Sequence, residues 1–234
     1  MSRILKGYEA KLRRLLKQVN ARKLDQGVKS LLARAQEISR NERRSLPDAL
    51  TDVYERLARQ PAFQNRNSLP QPEAFLCDSG LGGLARWLRA AGYDTRWSAH
   101  IADRDLIAEA RKLSATILTT DSMLMEFGML RDGVIPALWL PPTLSISQQL
   151  TFVAHHFHLT PREPRCTACG GELRSAENES LGERIPPKTY RWLDKYFVCA
   201  RCGKLFWRGT HWQRIEEGLR AALLASSAPT AKES

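Results

Sequence analysis

Apolar residues recur at three- and four-residue spacing through the first sixty positions of the chain. That spacing places them on one face of an α-helix, and it occurs in three successive stripes. The stripes consist of Leu5, Tyr8, Leu12, Leu15, Leu16 and Val19, then Leu24, Val28, Leu31, Leu32, Ala35 and Ile38, and finally Leu46, Leu50, Val53, Tyr54 and Leu57. Pro47 suits a first helical turn and Pro61 suits a helix end. The pattern therefore predicts two or three helices between residues 3 and 60.

The pattern changes across residues 61–74, where three prolines with polar spacers predict a linker. Beyond the linker, short apolar runs alternate with segments of helical periodicity. The runs predict strands at 74–77, 94–98, 116–119 and 134–140, and the periodic segments predict helices at 81–91, 105–113 and 147–157. Strands that alternate with helices indicate a parallel sheet with helices on both faces. Residues 74–160 are therefore predicted to form an α/β domain.

The last part of the chain has a third kind of composition. Residues 161–214 are rich in paired cysteines, glycine, proline and aromatic residues. Residues 215–234 are expected to start as a short helix and to end in a disordered tail. With the basic helical region and linker of residues 1–70 and the α/β domain, this gives four predicted segments.

Two Cys-x-x-Cys-Gly motifs carry the strongest chemical signal in the sequence. They contain Cys166, Cys169, Cys199 and Cys202, and 29 residues separate them. Zinc takes four thiolates at about 2.3 Å; a two-residue spacer lets one tight turn supply two of them, and the following glycine accepts the positive φ of that turn. The motifs predict a zinc ribbon with one structural zinc, since four cysteines leave no position open for water. A redox role for either pair is the less favoured alternative, and Cys77 is expected to be a small buried residue.

The net charge of +11 is unevenly distributed along the chain. Residues 1–70 carry 16 basic and 7 acidic side chains, and residues 161–214 carry 11 and 6. Residues 71–160 instead carry 7 basic and 9 acidic side chains. A basic surface attracts phosphate backbones or anionic lipid, whereas an acidic island within it does not. The basic helices are either a solvated face or a surface for nucleic acid or a ribosome.

Four acidic residues of this island are predicted to lie where an α/β sheet has its active site. Asp78 and Asp121 directly follow predicted strands, Asp105 opens a predicted helix, and Asp103 precedes it by two residues. In a parallel sheet these positions converge on one edge. Carboxylates packed closely repel each other unless a cation neutralises them, and oxygen ligands select Mg²⁺ or Mn²⁺. One or two such ions could activate water and stabilise a phosphodiester under attack.

Each of these aspartates also has a structural interpretation. Asp105 is a good helix N-cap, and Asp121 could cap the segment that follows it. A single aspartate at a strand-to-helix junction is more often a cap than a ligand. Three at successive junctions of one sheet favour a metal site.

Several separated motifs give the chain a resemblance to a known family. FLCDSGLGGLARWLRAAGYD is followed by DRDLIAEARKLSATILTTDSML and by a two-knuckle ribbon that ends in FWRGTHWQRI. In order and spacing they resemble the Mut-seven C-terminal RNase family, a divergent branch of the PIN-like nuclease fold. The resemblance implies clustered acids that use Mg²⁺ or Mn²⁺ to cut RNA. Asp78, Asp105 and Asp121 match its acids, and Asp103 is a plausible accessory ligand.

The sequence departs from that family pattern in one place. Many PIN domains carry a further acid on a helix between the first and third strands, where this chain has Arg86 and Arg89. Either Asp103 substitutes for that acid, or one metal binds weakly, or activity has been lost. The two arginines could instead hold a substrate phosphate.

The favoured hypothesis is a metal-dependent endoribonuclease whose ribbon and basic helices grip RNA outside the cleft. The leading alternative is a non-catalytic RNA- or ribosome-binding protein on a PIN-like scaffold. A third hypothesis is a module in which the ribbon and the N-terminal helices bind protein partners. All three fit the charge of the first 70 residues, which lie outside the resemblance.

Composition and hydropathy limit the protein class and its location. With 43% hydrophobic residues the chain is not collagen-like, mucin-like or wholly disordered. No window approaches 18 consecutive apolar residues, and the N-terminus lacks the apolar stretch of a secretory signal. We therefore expect a soluble, cytoplasmic protein without a membrane partner. A mitochondrial presequence stays open as an alternative, because Glu9 and Asp25 oppose it only weakly.

Overall fold

The computed structural model describes residues 3–63, 71–177, 181, 184–185 and 195–227. The helices are α1 (Arg3–Gln18), α2 (Leu24–Asn41), α3 (Leu46–Ala58), α4 (Gly82–Ala90), α5 (Asp103–Leu113), α6 (Gly128–Arg131), α7 (Ile146–Phe157) and α8 (Thr210–Ser227). The strands are β1 (Ala74–Cys77), β2 (Asp94–Trp97), β3 (Thr116–Thr119), β4 (Ala137–Trp139), β5 (Leu173–Ala176), β6 (Tyr196–Cys199) and β7 (Leu205–Trp207). Short 3₁₀ turns lie at Ser79–Leu81 and Leu124–Glu126.

A four-stranded parallel sheet in the order β2-β1-β3-β4 forms the centre of the α/β domain. Its two faces bury alternate residues of the strands, because successive side chains of a strand point to opposite sides. Leu76 and Ile117 pack with α5 on one face. Phe75 and Leu118 face the other side, where α4, α7 and α8 lie. The predicted parallel α/β fold is confirmed.

The predicted N-terminal helices are present and pack against the edge of this sheet. Ser45 caps α3 by accepting a hydrogen bond from the Asp48 amide, as Pro47 at the first turn suggests. The ring of Trp139 in β4 meets Tyr8 of α1 edge-on at 5.3 Å and Tyr54 of α3 at 5.1 Å. The three helices therefore share one hydrophobic core with the α/β domain.

Several element boundaries differ from the sequence prediction. β4 starts at Ala137 instead of residue 134, because Pro136 has no amide to donate and only its carbonyl accepts from Ile117. Helix α5 starts at Asp103, two residues earlier than predicted, and α8 starts at Thr210, before the predicted segment 215–234. Of the predicted disordered tail, residues 228–234 lie outside the described residues, as do 64–70 of the predicted linker.

The ribbon region forms a second, antiparallel sheet in the order β5-β6-β7. Helix α8 follows it and packs against α7 and α4. Gly218 allows this contact, since a Cβ there would lie 2.6 Å from the Trp87 ring. Among the described residues, no helix is long and apolar enough to cross a membrane.

Candidate active site and metal centre

Two aspartates lie at the point of the sheet where the strand order reverses. The strands β1 and β3 are neighbours, but the strand that follows each in sequence lies in the opposite direction: β2 lies beyond β1, and β4 lies beyond β3. Asp78 follows β1 directly, and Asp121 comes two residues after the end of β3. In open α/β sheets this reversal leaves a crevice beyond the carboxyl ends of the strands, where ligands bind. Both aspartates are half-buried there.

The buried hydroxyl of Thr119 links these two aspartates. It donates a hydrogen bond to Asp78 Oδ2 at 2.7 Å and accepts one from the Asp121 amide at 2.9 Å. Local amides fix the other oxygens: Ser79 N donates to Asp78 Oδ1 at 2.6 Å, and Met123 N donates to Asp121 Oδ1 at 2.7 Å. The two carboxylates are therefore oriented by the protein before any ligand arrives.

The acids of α5 reach the same edge of the sheet from its β2 side. Asp103 is the first residue of the helix, Asp105 lies in its first turn, and both are exposed. Among the described residues, the only group of three or more candidate ligands within 4.8 Å of one another consists of cysteines. Asp78, Asp105 and Asp121 thus share an edge without forming a closed ligand set.

The four paired cysteines do form a compact group. Their sulfur atoms all lie within 4.8 Å of one another. The Cys166–Cys202 and Cys169–Cys199 sulfur pairs are 3.7 Å and 3.4 Å apart. A zinc ion with four sulfurs at about 2.3 Å holds them about 3.8 Å apart, so the group could hold a metal such as zinc.

The backbone around the cysteines also suits a metal knuckle. Gly170 and Gly203 adopt φ values of +76° and +69°, the conformation predicted for the glycine after each pair. Burial raises the pKa of the Cys199 thiol, but the Cys202 and Arg201 amides that donate to its sulfur, together with the Cys169 and Cys202 side chains, lower that pKa below its usual value, whereas burial raises the pKa of Cys166 and Cys169. Such donors favour the thiolate, which is the form that binds metal.

The aspartate edge and the cysteine group both fall within one family match. A sequence model of the Mut7-C RNAse domain matches residues 73–219. The chain belongs to this family. Its match covers the α/β sheet, the ribbon and most of α8, which confirms the resemblance drawn from the sequence motifs. No curated protein and no solved structure matches the chain.

The two arginines of α4 have different surroundings in the Mut7-C domain. Arg86 is exposed. Arg89 is buried, and its guanidinium donates to the carbonyls of Thr95 at 2.7 Å, Thr167 at 3.1 Å and Ala168 at 2.9 Å. These bonds fasten the first cysteine knuckle to β2. The predicted substrate-binding role therefore does not fit Arg89, because the residue is only 4% exposed and its Nε and Nη1 atoms donate to backbone carbonyls.

Lysine 11 reaches the Asp121 loop from α1, which lies outside the Mut7-C match. Lys11 is 4% exposed, and its ammonium group donates to the Ser122 carbonyl at 3.5 Å and to Glu126 at 3.4 Å. Burial lowers its pKa, while Glu126 opposes that shift. The sequence pattern put Lys11 among the basic residues of the N-terminal helices, predicted to form a solvated face or a surface for nucleic acid or a ribosome. Its position one turn after Tyr8 was the available signal that it faces inward.

Trp97 is a second residue at this edge of the Mut7-C domain that sequence analysis missed. It ends β2 with 38% of its surface exposed, and its indole donates to the Ser79 carbonyl at 2.9 Å. A Cβ on Gly82 would lie 2.6 Å from the indole ring, so glycine lets Trp97 lie against the start of α4. The ring therefore stands beside Asp78. The sequence signal that could have identified Trp97 was an aromatic residue at the end of a predicted strand, close to the predicted acids.

Proposed function

We propose that this protein is a metal-dependent endoribonuclease whose cleavage site is the edge of the sheet at Asp78 and Asp121. The observation that carries the proposal is the Thr119 link, which bonds the Asp78 carboxylate and the Asp121 backbone amide and so holds the two aspartates together at the strand-order reversal of an RNAse-family domain. A structural role alone would require only one capping oxygen from each aspartate. Here Asp121 Oδ2 has no hydrogen-bond partner among the described residues.

The donor set at this edge fits Mg²⁺ or Mn²⁺. Mg²⁺ keeps several of its waters and is usually bound by one or two carboxylates together with substrate phosphates. Asp78 and Asp121 would supply those carboxylates. Asp105, with Asp103 as an accessory, would act through water from the first turn of α5, since the acids do not form a tight group. When bound, the ion would supply Lewis-acid activation of water and neutralise charge on the phosphate.

The remaining residues at this edge would bind and orient the RNA. Trp97 offers an exposed ring on which a base beside the scissile phosphate can stack. Arg86 is exposed, and we assign it to the substrate backbone. Lys11 holds the loop that carries Asp121.

The cysteine group would hold one structural zinc. With four thiolate ligands the ion has no open position for water, so it would stabilise the ribbon without taking part in cleavage. Metal analysis of the purified protein should find one zinc per chain. Substitution of Cys166 and Cys199 by serine should remove it.

An RNA cleavage assay with and without Mn²⁺ tests the proposed activity. Wild-type protein should cleave only with the metal, and Asp121→Asn and Asp78→Asn should abolish cleavage with little loss of folding. Asp132→Asn is the matched control, because Asp132 is an exposed aspartate paired with Arg131 in a turn. Full cleavage by purified Asp121→Asn would refute the site assignment.

The same samples distinguish the nuclease from a non-catalytic RNA- or ribosome-binding protein. The absence of a tight acidic cluster in the described residues is the observation that favours this alternative. A nuclease should bind Mn²⁺ at the aspartates, whereas a binding protein should hold RNA equally well without metal. Metal-independent binding without any cleavage would support the alternative.

A further inference from the structure

The ribbon sheet carries two phenylalanines on the face that does not pack into a core. Phe197 of β6 pairs directly with Phe206 of β7, so both side chains lie on the same face. Tyr196 and Val198 point the other way, into the small core of the ribbon. Both phenylalanines are half-buried, and neither belongs to a hydrophobic cluster of the described residues. The ribbon therefore presents two flat apolar rings side by side.

A positive charge lies beside each of these rings. The guanidinium carbon of Arg208 is 5.8 Å from the centre of the Phe197 ring, and the ammonium nitrogen of Lys204 is 5.7 Å from that of Phe206. Both cationic residues are exposed. An aromatic ring with an adjacent cation can stack a base and contact its phosphate together.

Phe197 also lines a cavity of about 970 Å³ between the ribbon, the start of β2 and the first turn of α8. Four arginines line the same cavity: Arg162, Arg165, Arg201 and Arg208. Glu163 and Glu172 also lie there, which leaves a surplus of two positive charges. In the described part of the chain, none of these arginines forms a salt bridge with a carboxylate.

Contacts with the protein hold three of the four guanidinium groups in place. Arg162 lies 4.3 Å from the centre of the Tyr93 ring and donates to Gln71. Arg165 donates to the Gly170 carbonyl at 3.0 Å, and Arg201 donates to the Cys169 carbonyl at 2.8 Å. A guanidinium has five donors, so these bonds leave several for a ligand. A site ordered in advance loses less conformational entropy on binding.

This cavity is separate from the aspartate edge. It includes Gly92, which precedes β2, whereas Asp78 lies beyond the opposite ends of the strands. A four-residue strand spans about 13 Å. The cavity therefore lies at the amino ends of the strands and the aspartates lie at their carboxyl ends. One short polynucleotide can reach both.

We propose that the ribbon face and this cavity form a binding site for single-stranded RNA, with bases stacked on Phe197 and Phe206 and phosphates bound by the arginines. The choice of RNA rests on the proposed function. Half-exposed rings favour unpaired bases, because in a duplex the faces of the bases are already stacked on each other. An acidic peptide would use the arginines without the rings.

Binding of a fluorescein-labelled oligouridylate of about twelve nucleotides tests the site. Fluorescence anisotropy is measured without added divalent metal, so that cleavage does not interfere. Phe197→Leu and Phe206→Leu should each weaken binding about fivefold or more. Arg208→Gln should weaken binding and reduce the slope of log K against log salt by about 0.7. Arg111→Gln, at an exposed arginine in the last turn of α5, is the charge control and should bind like wild type.

Three results would overturn the site. They are wild-type affinity in the Phe197→Leu/Phe206→Leu double variant with its zinc content intact, equal competition by duplex RNA, and equal competition by a polyglutamate peptide. Failure of the proposed function is distinguishable, since it would leave RNA binding dependent on both rings with no Mn²⁺-dependent cleavage. Conversely, Mn²⁺-dependent cleavage together with RNA binding that does not depend on the two rings would refute this binding site and support the proposed nuclease activity.

Discussion

Thr119 and Asp78 join the ends of two neighbouring strands through a side-chain hydrogen bond. The Thr119 hydroxyl is fully buried and donates to Asp78 Oδ2 at 2.7 Å across 41 positions of sequence. The hydroxyl oxygen of Thr119 also accepts from the Asp121 amide. One hydroxyl therefore sets the positions of both aspartates to which we assign the metal.

Thr119→Val should impair cleavage beyond its effect on stability. Valine matches threonine in shape but leaves the Asp121 amide and one Asp78 oxygen without their partner, which costs about 1–3 kcal/mol. We expect a lower apparent affinity for Mn²⁺ in cleavage assays, because Asp78 Oδ2 loses its donor and the backbone of Asp121 loses its tie to β3. Thr119→Ser should restore it.

Thr116→Val serves as the control for that experiment. Thr116 is buried at the other end of the same strand, away from the aspartates. It should alter stability without changing the Mn²⁺ dependence. If Thr119→Val showed wild-type Mn²⁺ dependence, the hydroxyl would have no positioning role.

Much of this site could be predicted because short-range patterns determine it. β1 and β3 are apolar runs that end at polar residues, and their predicted bounds of 74–77 and 116–119 agree with the structure. The positive φ of Gly170 and Gly203 follows from the tight turn that a two-residue spacer requires. Each of these features depends on neighbours in sequence.

The features that were missed depend on distant partners. Arg89 lies on the same helix face as Leu81 and Ala85, but two of the carbonyls to which its guanidinium donates lie 78 and 79 positions away. Lys11 adjoins an apolar stripe, and its partners Ser122 and Glu126 lie more than 100 positions along the chain. Helical spacing can show that these side chains face inward, but no local pattern identifies their distant partners.

Lys11→Met should lower cleavage while leaving the free energy of unfolding within about 1 kcal/mol of wild type. The lysine is buried, but its partner Glu126 is 60% exposed, so the substitution leaves no charge stranded inside the protein. The Asp121 loop would lose its tie to α1. Chemical denaturation and the Mn²⁺-dependent cleavage rate measure the two effects, and Lys6→Met, at an exposed lysine of the same helix, is the control.

The stability difference between Lys11→Met and wild type should also depend on pH. Burial lowers the pKa of Lys11 in the folded state, so below its ordinary value of 10.5 the unfolded chain binds more protons at this position. The lysine therefore lowers stability most at neutral pH, and this cost declines as pH rises toward 10.5. The stability of the methionine variant relative to wild type should fall over that range. A difference that does not change with pH would contradict the burial of a charged lysine.

Arg89→Met and Arg86→Met should affect different properties. Loss of the Arg89 guanidinium leaves three backbone carbonyls without a donor and releases the first knuckle from β2. We expect a loss of several kcal/mol in the free energy of unfolding, at about 1–3 kcal/mol per unsatisfied group. The exposed Arg86 should change RNA affinity with little effect on stability. Thermal denaturation measures the stability of both variants, and an RNA-binding assay measures their affinity. Equal stability of Arg89→Met and Arg86→Met would refute the structural role of Arg89.

Thiol titration should divide the five cysteines into two classes. The zinc-loaded protein should react slowly with Ellman's reagent, and a chelator should release four reactive thiols at Cys166, Cys169, Cys199 and Cys202. The fifth, Cys77, is fully buried, and burial raises its pKa to about 12, so it should react only after denaturant is added. Cys77→Ala should leave the chelator-released count at four and remove the denaturant-dependent thiol. Five reactive thiols in the folded protein after chelation would contradict the burial of Cys77. If the four paired cysteines stayed unreactive after chelation, they would form disulfides instead of a metal centre.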